Sequence, residues 1–271
     1  MNRFGVGLLA LAMALVCSAC TTLGMGSDSP VLDRIRKSGE LRVGTTGDYP
    51  PLSIVDRNEQ TIGLEPDLAN ALAVTMGVKL TIVNLPFAEL LDAVEAGEID
   101  MAMAGITMTP ERNMRVAFAG PYFVSGKAVL TRSETLARAN GPSVLDKPSV
   151  KLVTLAGTTS EGYVKNAVPT ATLLTTATYP EAVTMVAGGE ADAMVADYPV
   201  CAVAVLRNPG AGLMTVISPF TFEPIGIALP ADDVLFVNLV QNYLTSLEGT
   251  GLLDKLREKW FSDPSWLLAL P

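Results

Sequence analysis

Residues 79–107, KLTIVNLPFAELLDAVEAGEIDMAMAGIT, decide the fold of this chain. KLTIVNL is rich in β-branched and aliphatic residues and reads as a strand. FAELLDAVEAGE carries apolar residues at helical spacing, and IDMAMAGIT is a nearly continuous apolar run of strand length. Strand, helix and buried strand in succession are the signature of α/β layering.

The same alternation extends outward in both directions. Upstream, VLDRIRKSGE (31–40) has the spacing of a short helix, and LRVGTT (41–46) alternates like a strand before a Gly-Asp-Tyr-Pro-Pro turn. Residues 63–77, GLEPDLANALAVTMG, read as a helix with Asp67 near its start and Gly77 as its stop. Downstream, AVLTR (128–132) is a further strand. The polar stretch SETLARANGPSVLDKPS (133–149) carries the Gly-Pro and Lys-Pro punctuation of a lobe boundary.

A second alternating set follows. VKLVTLAG (150–157), ATLLTTA (171–177) and ADAMVAD (191–197) read as strands, with TTSEGYVKNAV (158–168) and EAVTMVAGGE (181–190) as helices between them. PFTFEPIGIALP (219–230) returns as a strand, and two amphipathic helices, 234–249 and 252–261, close the chain. The expected architecture is α/β, with two lobes joined by two hinge crossings. Lobe 1 comprises residues 31–131 and 225–271, lobe 2 comprises 132–224, and the hinge falls near 130–133 and 222–226.

Composition narrows the function. Nineteen Lys and Arg against 28 Asp and Glu give a net charge of −9, which disfavours nucleic acid and anionic membrane as partners. The chain has no histidine, so Ser-His and Cys-His nucleophilic sites and the usual zinc ligand sets are excluded, and neither a metal nor a cofactor is expected. Residues 1–20, MNRFGVGLLALAMALVCSAC, place Arg3 before an apolar run and small residues before Cys20, which is an export signal too short to span a membrane permanently. The Ser18-Ala19-Cys20 junction resembles a bacterial lipobox, although Cys17 departs from its usual aliphatic residue. Cleavage before Cys20 and its lipidation are expected, with an ordinary cut at Ala19 as the alternative. Residues 20–30 then serve as a flexible tether, and the mature chain lies outside the cytoplasm, in the periplasm or on the cell surface, anchored through lipid on Cys20. Cys201 remains as the single mature-domain cysteine, within the apolar run VCAVAVL, and reads as a small core residue.

Residues 105–123, GITMTPERNMRVAFAGPYF, set Arg112 after a small-residue turn and before an apolar strand. A guanidinium there reads either as a carboxylate clamp, whose planar fork grips both oxygens, or as a surface arginine at a helix start.

Six segments in order, GELRVGTTGDYPPLS, GLEPDLANALA, GITMTPERNMRVAFAGPYF, AGTTSEGY, GEADAMVAD and FEPIGIAL, resemble the family 3 extracellular solute-binding proteins, which have the type II periplasmic binding fold. The resemblance covers residues 31–261. It implies a monomeric receptor that captures an amino acid or similar small carboxylate between its lobes and delivers it to an ABC permease. It further implies Arg112 as the clamp for the ligand carboxylate, with Thr107 and the Thr159 backbone amide beside it. Asp197 and the Gly105 carbonyl would accept from the ligand ammonium, while Tyr49 and Phe87 would form apolar walls or else belong to the core. Thr46 stands where binders of basic amino acids commonly carry an acid, so lysine, arginine and histidine are disfavoured as ligands. Ala104 replaces a frequent serine.

Residues 32–51 and the Gly126-Lys127 pair also resemble the periplasmic cyclohexadienyl dehydratases. Lys127 then reads as a cleft lysine able to hold a second carboxylate or alkoxide, or as a solvated hinge residue. That enzyme's general acid aligns with Val200, which has no proton to give, and Glu161 and Glu223 are the remaining carboxyl candidates. A sensory binding module with a separate membrane partner is a third reading.

Overall fold

The computed structural model describes residues 29–216 and 219–270. The expected signal segment, Cys20 and most of the tether therefore lie outside the described residues. Helix α1 (Pro30–Ser38) starts on a proline, which needs no amide partner in the first turn, and stops at Gly39, where φ is 69°. Strand β1 (Glu40–Thr45) follows, then three very short strands, β2 (Asp48–Tyr49), β3 (Ser53–Val55) and β4 (Thr61–Ile62), which pair as a small antiparallel sheet. Helix α2 (Leu64–Met76) ends at Gly77 in the left-handed region, as its glycine stop predicts.

Strand β5 (Lys79–Asn84), helix α3 (Leu90–Glu95), strand β6 (Met101–Ala102), the short helix α4 (Pro110–Asn113) and strand β7 (Ala117–Ser125) complete the first half of the lobe. Strand β8 (Lys127–Thr131), helix α5 (Glu134–Ala137), strand β9 (Lys151–Leu155), helix α6 (Thr159–Ala167), strand β10 (Thr172–Thr176), helix α7 (Tyr179–Gly188), strand β11 (Ala193–Asp197), helix α8 (Tyr198–Arg207) and strand β12 (Met214–Thr215) build the second lobe. Strand β13 (Glu223–Leu229) returns to the first lobe, where helices α9 (Val234–Gly249) and α10 (Leu252–Phe261) pack. Among the described residues no helix is long and apolar enough to cross a membrane.

Two five-stranded sheets result, in the orders β5-β1-β6-β13-β7 and β10-β9-β11-β8-β12. In each, the strands of the βαβ units are parallel, and β13 or β8 runs antiparallel to its neighbours. Strands β8 and β11 are buried along their whole length, which is why their sequences read as apolar runs apart from Lys127, Thr131 and Asp197.

Sheet pairing sets the first crossing at residues 125–127, upstream of the expected 130–133, because β8 belongs wholly to the second sheet. The second crossing enters β13 at Glu223, opposite Ser125. The two connections thus run side by side, and Gly126 permits the contact: a Cβ there would lie 2.2 Å from the Thr221 carbonyl oxygen. The expected strand 99–107 also shortens to two residues, because Gly105, with φ 63°, turns the chain out of the sheet.

Candidate functional site

The ends of the βα units from both lobes face one another across the cleft. Arg112 comes from α4, whose start is fixed by Thr109: its hydroxyl accepts from the Arg112 amide at 3.2 Å. The guanidinium reaches into the cleft, donating to the Thr107 carbonyl at 2.9 Å and, across the lobes, to the Gly157 carbonyl at 3.3 Å. Its carbon lies 5.4 Å from the centre of the Phe87 ring, a cation–π contact. Burial lowers the Arg112 value, Asp197 and Glu223 oppose that shift, and a guanidinium stays charged throughout.

Facing it from the second lobe, Asp197 is 4% exposed and stands at the start of α8. It makes no capping bond there. Instead its Oδ1 accepts from Lys127 Nζ at 2.6 Å, and its Oδ2 accepts from the hydroxyl of Tyr49 in the first lobe. Lys127 and Asp197 are register partners on the antiparallel strands β8 and β11, which is what places the ammonium on the carboxylate. Lys127 Nζ also lies 3.3 Å from Glu223 Oε2, and the lysine is 1% exposed. The alternative of a solvated hinge lysine is therefore set aside.

Further contacts close the cleft. Thr107 and Thr159 hydroxyls meet at 3.3 Å, Thr159 Oγ1 donates to Glu223 at 3.2 Å, and the Tyr179 amide donates to Asp48 at 3.1 Å. Tyr49 and Tyr179 meet edge to face with centroids 5.5 Å apart. Gly105 makes room for Tyr49, since a Cβ there would lie 1.9 Å from the ring.

A small cavity of about 10 Å³ remains at the centre, barely enough for one water, so the lobes are in a closed arrangement. Its wall includes seven of the eight residues expected from the sequence: Phe87, Gly105, Thr107, Arg112, Lys127, Thr159 and Asp197. Tyr49, the eighth, stands behind Asp197 and is 2% exposed, so it contributes a hydroxyl to the carboxylate rather than a face to the cavity. Thr158, Ser160 and Tyr179 also line the wall and were not singled out by sequence reasoning. Tyr179 was hidden in a Thr-Tyr-Pro stretch that signals only a helix start.

The carboxyl groups considered as proton donors are differently placed. Val200 is 2% exposed and faces a separate cavity of about 370 Å³, beyond Tyr179. Glu161 does not line the central cavity. It pairs with Lys165 at 2.6 Å and accepts from the Gly157 amide at 2.7 Å, and the lysine holds it below the usual carboxylate range. Burial would raise Glu223, but Lys127 and the hydroxyls of Thr221 and Thr107 outweigh it and hold the group low. Both are thus ionised near neutrality and poor acids. Replacing Glu161 with Gln should leave ligand affinity within about twofold while costing α6 about 0.5–1 kcal/mol. Titration calorimetry and urea unfolding check the two halves, and a large affinity loss would reassign Glu161 to the site. Cys201 is buried, and burial pushes its thiol well up, in keeping with a core role.

Two α/β lobes, two adjacent crossings and a charged cleft between them make up the type II periplasmic binding fold. The match of residues 41–263 to bacterial extracellular solute-binding proteins, family 3, places the chain in that family. Cyclohexadienyl dehydratase of Pseudomonas aeruginosa is 31% identical over 254 residues, covering 92% of this chain and 93% of that protein. A crystal structure of an ancestral amino acid-binding protein, a precursor of cyclohexadienyl dehydratase, superposes with a TM-score of 0.78 at 39% identity, covering 85% of this chain and 99% of that one. A putative binding component of an ABC transporter from Wolinella succinogenes, complexed with lysine, gives 0.79 at 36% identity, covering 84% and 98%.

Proposed function

We propose that the chain is an extracytoplasmic, lipid-anchored receptor that captures an amino acid or similar small carboxylate in its interlobe cleft and presents it to an ABC permease as a monomer. The observation that carries this reading is Arg112. Among the described residues its guanidinium donates to two backbone carbonyls and to no carboxylate, although it lies on the cavity wall. A half-buried guanidinium fork on a cavity wall is suited to a ligand carboxylate. Thr107 and the backbone amide of Thr159 stand beside it, one from each lobe, so a carboxylate held there would draw on both lobes. Lobe closure then becomes a population shift driven by the ligand. Anchoring through lipid on Cys20 rests on the sequence of the export signal alone.

A dehydratase reading draws on the Pseudomonas relative and on Lys127 within the cleft. Against it stand Val200 at the expected acid position and the lowered values of Glu161 and Glu223. Reaction of the protein with prephenate separates the two: product formation above the spontaneous rate supports the enzyme, and its absence supports the receptor.

The test of the receptor is a thermal-shift screen of the mature chain against amino acids, their 2-oxo and 2-hydroxy counterparts, small dicarboxylates and prephenate. Ligand at one hundred times its dissociation constant adds about 2.7 kcal/mol of stability. Silence across every carboxylate would remove the receptor reading.

A further inference from the structure

Asp197 is the group expected to receive a ligand ammonium, yet both of its oxygens already have donors. One carries the Lys127 ammonium and the other the Tyr49 hydroxyl. Neither donor is free to swing into solvent, because Lys127 is 1% and Tyr49 2% exposed. Lys127 is also tied at its backbone: its amide donates to Thr221 Oγ1 at 2.9 Å, and its carbonyl accepts from the Phe220 amide at 2.7 Å. Its Nζ therefore has a fixed origin beside Asp197, with Glu223 3.3 Å away on the other side.

Arg112 and Lys127 line the cavity as cations and Asp197 as an anion, and Glu223, 3.3 Å from Lys127 Nζ and bonded to Thr159 on the wall, supplies a second anion beside it. A zwitterion held by Arg112 would set its ammonium beside that of Lys127. An ammonium has three donors, and Asp197 and Glu223 engage two on Lys127, which leaves one for a ligand oxygen.

We propose that this cleft selects small carboxylates bearing an oxygen acceptor on the α-carbon, a 2-oxo or 2-hydroxy group, over the corresponding amino acids, and that Lys127 sets this preference. The proposal rests on the reading of the cleft as a carboxylate receptor clamped by Arg112. Arg112 takes the carboxylate, and the α-oxygen accepts from Lys127 where an amino acid would present a cation. Asp197 acts as a positioning residue that holds Lys127.

The experiment is calorimetric titration of the wild-type protein with sets matched in side chain: phenylalanine, phenylpyruvate and phenyllactate; valine, 2-oxoisovalerate and 2-hydroxyisovalerate; alanine, pyruvate and lactate. In at least one set, the oxo or hydroxy acid should bind tenfold or more tightly than the amine, and the ranking of those two members separates ketone from hydroxyl recognition. Lys127→Met, checked for folding by circular dichroism, should shift the ratio at least tenfold toward the amine, and Lys127→Arg should retain the wild-type order. The wild-type ranking decides alone if the methionine variant does not fold. Amino acids that bind more tightly than both oxygen counterparts in the wild type would overturn the proposal and leave the carboxylate receptor standing. An unchanged ratio in folded Lys127→Met would also overturn it. Failure of every carboxylate to bind would remove the receptor reading and the proposal together.

Discussion

Replacing Arg112 with Ala is expected to lower affinity for whichever carboxylate the screen identifies by at least about 100-fold. The guanidinium offers two parallel donors to one carboxylate, and charge-assisted bonds contribute about 1.5–3 kcal/mol each. At about 1.4 kcal/mol per tenfold, losing both reaches or exceeds that factor. The unliganded fold should lose less than the complex. Arg112 is half-buried, one of its two bonds to carbonyls is solvent-exposed, and its contact with the Phe87 ring is a single cation–π pair. Chemical unfolding without ligand should shift by about 1–3 kcal/mol. Calorimetry and urea denaturation on the same preparation separate the two effects. Binding within threefold of wild type would remove the clamp, and with it the main support for a carboxylate ligand.

Glu65 should give the protein a stability that falls as pH rises toward neutrality. Its carboxyl is 1% exposed, and burial lifts it from the ordinary 4.5 to about 7, although the Gly105 amide at 2.7 Å and the Tyr122 hydroxyl both donate to it. Below pH 4.5 the group is protonated whether the chain is folded or not, and it contributes no penalty. Between 4.5 and 7 the unfolded chain releases the proton and the folded one keeps it, so unfolding is progressively favoured. By pH 8 the loss amounts to about 3 kcal/mol. Glu65→Gln keeps an oxygen to accept from Gly105 and Tyr122 and has no proton to release. Urea unfolding from pH 4.5 to 8 should therefore show wild type losing about 3 kcal/mol more than the variant. Parallel curves for the two proteins would show that Glu65 titrates normally in the fold.

Gly105, the donor to Glu65, also lines the cleft, so this buried acid supports the site from behind. Sequence reading placed Gly105 in the site through its resemblance but gave no hint of Glu65, which sits 40 positions earlier on α2. GLEPDLANALA read as a helix with Asp67 near its start. Only the packing of α2 against the first sheet turns Glu65 inward.

The same division runs through the rest of the molecule. Helices such as α2 and α6 were legible because glycine stops, threonine caps and apolar spacing are local properties. The small sheet β2-β3-β4 was not, since strands of two or three residues carry no period to read. Helix α8 was seen only as the apolar run around Cys201, because burial on one face and small residues elsewhere erase the polar side of its pattern. Arg112 stood out through its own chemistry. The Lys127–Asp197–Glu223 cluster did not, because it depends on β8 and β11 pairing in one register and on β13 arriving beside the crossing. Those are facts of topology that no single segment contains.

Strand β13 sits between β6 and β7 in the first sheet, yet it is made after the whole of the second. Residues 127–215 hold every strand of the second sheet, whereas the first sheet is incomplete without residues 223–229. A chain cut short after Thr215 would therefore keep the strands of one lobe whole and lack an inner strand of the other, and with it the Glu223 side of the cleft.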